Sequence, residues 1–267
     1  MTTLTRRATP LAAFGGMLLR DLHVITQERG RFLVRTLSQP LLLVFVFTYV
    51  FPKIGQGLRG SGGSFTDVLV PGVVAISVLT KGIQAVALPL VQEFGYTREI
   101  EDRVMAPLPV WAVAVEKIVS GALQGLVAAL IVLPIAVVMP AEPVSLQISW
   151  PALGAMLVLA PLLSSALGLA LGTNVEPSQV PLMFSVVILP ITFLGATYFP
   201  WSALDPIPWL QWLVLINPLV YIAEGFRMAM TPQLGHMPTL AIYLALVGFT
   251  AVVGWLGVWG FRRRVLA

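Results

Sequence analysis

Six long apolar runs divide this chain of 267 residues, separated by short stretches that are either charged or broken by proline. A helix needs about 20 mostly apolar residues to cross ~30 Å of hydrocarbon. Residues 33–51, 68–91, 118–139, 152–173, 180–199 and 239–261 each meet that requirement. The pattern predicts an all-α, polytopic membrane protein with six transmembrane helices. Ahead of the first run, Leu11, Phe14, Leu18, Leu22 and Ile25 recur at three- and four-residue intervals, while Arg20, Asp21, Gln27 and Glu28 fall largely elsewhere. That spacing predicts an amphipathic helix lying on a membrane face, although a helix packed on a soluble partner would show the same stripe.

Residues 195–227 break the rule of long spans. The stretch is too apolar for a soluble loop, yet Pro200, Pro206, Pro208 and Pro218 interrupt any helix that must satisfy its own backbone in lipid. Tyr198, Phe199, Trp201, Trp209, Trp212 and Tyr221 are rings of the kind that gather where hydrocarbon meets headgroups. The expectation is a re-entrant helical hairpin at one membrane face before the last span, with Asn217 offering its side chain to backbone groups that Pro218 leaves free.

Composition sharpens this picture. Hydrophobic residues make up 57% of the chain and charged residues 10%, against roughly 25% charge in soluble domains. The formal charge of +4 reflects topology and not nucleic-acid binding. Of the Lys and Arg residues, twelve fall before residue 36, between residues 93 and 117, or in the tail; only Lys53, Arg59 and Arg227 lie on the opposite side. With an even number of spans, the positive-inside rule puts both termini in the cytoplasm. The first run follows a basic segment and no small-residue cleavage site follows it, so it is expected to remain as an uncleaved anchor. The chain has no Cys, and His23 and His236 lie far apart. Neither thiolate nor histidine-based metal chemistry is expected.

Candidate chemistry is sparse. No G-x-x-x-x-G-K-[ST] occurs, so the chain is not expected to hydrolyse ATP by itself or to be an enzyme. Gly121-x-x-x-Gly125 and Gly168-x-x-x-Gly172 mark small-residue stripes suited to close helix approach, within the chain or at a dimer seam. Lys81 sits mid-span, where a charge faces protein or water; a place in a substrate path and a pairing inside the bundle both fit. Glu224 and Arg227, one turn apart, are read as an intrahelical pair. Residues 93–109 form the charge-dense connection: Gly95 can stop one helix, Thr97 can cap a short new one, and Pro107 and Pro109 end it. Ile100, Val104 and Met105 are more than a solvated linker needs.

These residues resemble the membrane subunits of type-2 ABC exporters, the group of daunorubicin-resistance, nodulation-factor and O-antigen or teichoic-acid permeases. The resemblance rests on Pro71-Gly72, Met105-Ala106-Pro107-Leu108, Glu116-Lys117, Gly195 through Phe199-Pro200, and Asn217-Pro218 followed by Arg227. Lys81 departs from the pattern. The resemblance implies one domain over residues 1–267: a cytoplasmic segment 1–32 with an interfacial helix, a coupling loop 93–109 and an extracytoplasmic re-entrant region 200–238. It implies two cytosolic ABC ATPase subunits, which would carry the ATP and Mg that this chain does not bind, and a second, identical or paralogous membrane subunit. The setting would be the inner membrane of a prokaryote, with membrane lipids as further partners. Thr97, Ile100, Glu101, Arg103 and Met105 would then contact the ATPase. Substrate, an amphipathic or lipid-linked molecule, would pass along Lys81 on the second span and Phe184 and Phe193 on the fifth. Phe199, Pro200, Trp209, Trp212, Asn217 and Pro218 would form an exit gate. A secondary transporter would need more ionisable residues near the midplane than Lys81; a non-transporting assembly factor is the other alternative.

Overall fold

Among the long apolar helices, the second apolar run is the most buried. A computed structural model describes residues 10–27, 29–50, 53, 59–60, 63–97, 108–140 and 144–266. In chain order the helices are α1 (Pro10–Gln27), α2 (Arg29–Val44), α3 (Phe65–Gln92), α4 (Val110–Val138), α5 (Trp150–Asn174), the short α6 (Val180–Met183), α7 (Leu189–Phe193) and α8 (Pro208–Leu213), then α9 (Pro218–Met230) and α10 (Thr239–Leu266). One two-residue antiparallel pairing, Arg59 with Ser64 and Gly60 with Gly63, precedes α3.

Small residues explain how α3 is enclosed. A Cβ on Gly82 would fall 2.4 Å from Ser164 Cβ of α5, one on Gly168 would fall 2.8 Å from the Ile83 carbonyl oxygen, and one on Gly172 would fall 2.9 Å from Ala87 Cα. On α4, Gly121 faces Val86 and Ser165, and Gly125 faces Pro161 and Gly82. Both glycine stripes therefore pack α3, α4 and α5 within one chain. Gly257 and Gly260 let α10 lie against Leu169, Ala170 and Thr173 of α5 in the same way. Three hydroxyls in this apolar interior are satisfied by their own helices: Ser77 donates to the Val73 carbonyl at 2.6 Å, Thr80 to Ile76 at 2.8 Å and Ser164 to Ala160 at 2.7 Å.

Among the described residues, four helices are long and apolar enough to cross a membrane: Phe65–Gly95, Val110–Val138, Trp150–Asn174 and Thr239–Leu266. The bent pair Pro208–Ile216 and Pro218–Met230 would make a fifth if it crossed as one span. The predicted first and fifth runs take other forms. The helix that holds the first begins at Arg29 and passes at Val44 into a π turn, Phe45–Val50. The fifth was expected to reach Phe199, but it carries a π turn at Phe184–Ile188 and its helix ends at Phe193. Thr197 Oγ1 donates to the Thr192 carbonyl at 3.0 Å and Asn217 Nδ2 to the Ile191 carbonyl at 2.7 Å, so two of its terminal acceptors are taken from outside the helix.

Two boundaries are corrected at charged residues. The third span, expected from residue 118, starts at Val110, because the Lys117 ammonium that would oppose burial is 2.7 Å from Glu93 Oε1. The last helix, expected to stop at residue 261, continues to Leu266 through three arginines. Basic residues suit a helix C-terminus. Nor does Gly95 stop the second run; the chain winds on through it as a π turn, Glu93–Thr97.

Candidate functional site

Polar side chains gather at the two ends of the bundle. At one end, Pro218 occupies the first turn of α9, where its missing N–H costs no hydrogen bond. Asn217 caps two helices at once: its Oδ1 accepts from the Leu219 N–H at 2.9 Å, and its Nδ2 donates to the Ile191 carbonyl. The chain turns by 98° at this residue. Every residue of α9 except Tyr221 is buried, whereas Trp209 and Trp212 on α8 are 69% and 71% exposed.

Residues 201–216 are closed upon themselves. Trp201 Nε1 donates to the Gln211 carbonyl at 3.1 Å, and the Gln211 amide donates to Asp205 Oδ1. Glu224 tethers this segment to α9. Its Oε1 accepts from the Trp201 N–H at 2.9 Å and from Arg227 Nη1, while its Oε2 accepts from the Met237 N–H at 2.9 Å. Arg227 Nη2 in turn donates to the carbonyl of Ala196 at 3.0 Å. Ala196 has φ 52°, a left-handed conformation that a non-glycine residue adopts at a cost, and one that turns the loop toward this guanidinium. Glu224 and Arg227 are thus the expected intrahelical pair, and both are buried. They also join α9 to the loop before α8 and to the connection into α10. Arg227 Nε has no hydrogen-bond partner among the described residues.

At the other end, Lys117 of α4 lies 2.7 Å from Glu93 Oε1 and 3.8 Å from Asp21 Oδ2 of α1. Phe94 packs edge-on against Phe261 of α10, ring centroids 5.8 Å apart. The Arg264 guanidinium lies 4.6 Å above the same Phe94 ring and donates to the Thr173 and Val175 carbonyls at 2.9 and 3.1 Å, closing the C-terminus of α5. Sequence reasoning missed this junction. The available signal was Lys117, a cation at the head of an apolar run.

The sequence-predicted residues separate. Of the coupling set, Thr97 ends the π turn after α3, while Ile100, Glu101, Arg103 and Met105 lie outside the described residues. Lys81 is inside the bundle, 8% exposed, on α3. Phe184 begins the π turn after α6, and Phe193 ends α7 with its ring outward, 58% exposed. Phe199 packs at the edge of the main core, and Pro200 precedes the turn that begins at Trp201. Asn217 and Pro218 stand at the bend, and Trp209 and Trp212 stand away from it. The candidate gate therefore divides into a buried part and a surface part.

The family model described as ABC-2 type transporter matches residues 13–231. The chain is also 28% identical over 240 residues to the "Inner membrane transport permease YadH" of Escherichia coli (strain K12) and to the protein of the same name in Shigella flexneri, over 88% of this chain and 90% of each relative.

Proposed function

The chain belongs to the ABC-2 type transporter family, and on that premise we propose that it is the membrane subunit of an ATP-driven exporter of an amphipathic or lipid-linked molecule. The observation that carries this reading is the pairing of a bend at Asn217 at one end of an apolar bundle with a charge-bracketed connection, residues 98–107, at the other. A family of this kind partners an ABC ATPase, and in this reading ATP and Mg bind two such subunits while the chain pairs with a second membrane subunit. Both termini and residues 93–109 face the cytoplasm, and residues 200–238 face outward. Membrane passage is sixfold, with the first and fifth runs as interrupted spans, and α1 lies at the membrane surface. The relatives' name, inner membrane transport permease, supports the same location here.

Within this reading Lys81, Phe184 and Phe193 lie along the substrate path. Thr97, Ile100, Glu101, Arg103 and Met105 meet the ATPase. Residues 201–216, carrying Trp209 and Trp212, are the moving part of the exit gate, and Asn217-Pro218 its fixed support. The charge asymmetry of the chain supports the orientation, and the short connections between helices favour export over an importer fed by a binding protein. Affinity purification through this chain, co-expressed with candidate ABC ATPases, tests the proposal. Vanadate-sensitive ATP hydrolysis is expected in the purified complex and not in the chain alone. A well-folded chain that captures no ATPase overturns it.

A further inference from the structure

Resting on the reading above, we propose that the π turn Glu93–Thr97 is the pivot through which the 98–107 connection moves the membrane helices, with Lys117 as its positioning residue. Three observations converge on that turn. It leads directly into the connection where force from an ATPase would enter. Its first residue, Glu93, is held by Lys117 of α4, which also reaches Asp21 of α1. Its second residue, Phe94, is held between Phe261 and Arg264 of α10, and Arg264 in turn holds the end of α5. Two adjacent side chains on a short turn thereby touch or lead to α1, α4, α5 and α10.

The packing supports a separate lever. Val86, Leu90, Val113, Ala114, Leu169 and Phe261 form a buried apolar cluster distinct from the main core, and Met17 of α1 and Phe94 pack against it. A π turn departs from the i→i−4 pairing of the α-helix before it, and single turns of this kind recur at functional sites. An ion pair inside apolar surroundings holds one geometry closely, because separating its charges there is costly. Glu93–Lys117 is therefore suited to transmitting a displacement rather than absorbing it. Without the Lys117 ammonium, the turn would shift while α1 and α4 stayed in place.

The test uses the chain's lack of cysteine. Spin labels are placed at Leu19→Cys on α1 and Arg262→Cys on α10, both exposed, before assembly with the ATPase that co-purifies with the chain. Interlabel distances are measured without nucleotide and after trapping with ATP, Mg and vanadate. In the parent the distribution is expected to shift on trapping. In Lys117→Met it is expected to keep its nucleotide-free form while assembly and basal hydrolysis stay within about twofold of the parent, and Lys117→Arg is expected to restore the shift. If the parent forms no ATPase complex, the exporter reading fails. If the parent hydrolyses ATP but the labels do not move, or if Lys117→Met moves as the parent does, the pivot is wrong and the exporter reading stands. Should Lys117→Met fail to accumulate, Phe94→Leu, which leaves the ion pair intact, takes its place, and a normal shift in that variant overturns the proposal.

Discussion

The Thr197 carbonyl oxygen lies 2.0 Å from where a Cβ on Gly72 would be. The loop before residues 201–216 therefore rests directly on the backbone of α3, and only a residue without a side chain permits it. Gly72→Ala is expected to destabilise the protein by about 1–3 kcal/mol, because neither backbone can give way cheaply. Gly154→Ala is the control: nothing lies within 4 Å of its added Cβ, and a helical Gly→Ala change stabilises by roughly 0.5–1 kcal/mol. Thermal unfolding in detergent should lower the midpoint for the first variant and hold or raise it for the second.

Breaking the buried pair Glu224–Arg227 should be among the most damaging single changes. Glu224→Gln leaves a buried guanidinium without its counter-charge, a loss of about 3–5 kcal/mol. Arg227→Lys keeps the charge but cannot serve both Glu224 and the Ala196 carbonyl with the same planar geometry. The double variant Glu224→Gln with Arg227→Met should be more stable than Glu224→Gln alone, since no unpaired charge remains. Equal stability of single and double variants would contradict the pairing.

Asn217 is expected to divide into two separable functions. Asn217→Asp keeps an acceptor for the Leu219 N–H but has no N–H for the Ile191 carbonyl. Asn217→Ala loses both, at about 1 kcal/mol for the cap and about 1–3 kcal/mol for the unsatisfied carbonyl. Hydrogen exchange should rise at the C-terminal end of α7 in both variants, and at the start of α9 only in Asn217→Ala.

For topology, single cysteines at Asp205 and Arg263 are expected to behave oppositely in intact cells. Both positions are exposed in the fold, so access depends on the side of the membrane alone. An impermeant thiol reagent should label the first and spare the second until the membrane is permeabilised. The reverse pattern would invert the orientation proposed from the basic residues.

Lys81→Met keeps side-chain length and removes the charge from the buried centre of α3. If Lys81 lines the path, the assembled ATPase complex should lose several-fold of its transport-coupled hydrolysis while the variant accumulates normally. Unchanged coupled hydrolysis would assign Lys81 to packing alone.

The membrane class, the long central helices and the break at Asn217-Pro218 were legible in the sequence, because each is a local property. Hydropathy acts residue by residue, and the amide hydrogen that proline lacks is missing whatever lies nearby. The Glu224–Arg227 pair was legible for the same reason: residues three apart on one helix share a face. Tertiary structure alone decided that the glycines at 121, 125, 168 and 172 pack within the chain, because a small-residue stripe suits any close neighbour. It alone brought Lys117 to Glu93 and Asp21, Arg264 to the end of α5, and Glu224 to the Trp201 and Met237 amides. Those partners are separated along the chain by loops and whole helices, and hydropathy does not encode which helix ends meet. The start of the third span shows the consequence: a lysine that counts against burial on its own is buried once folding supplies its carboxylate.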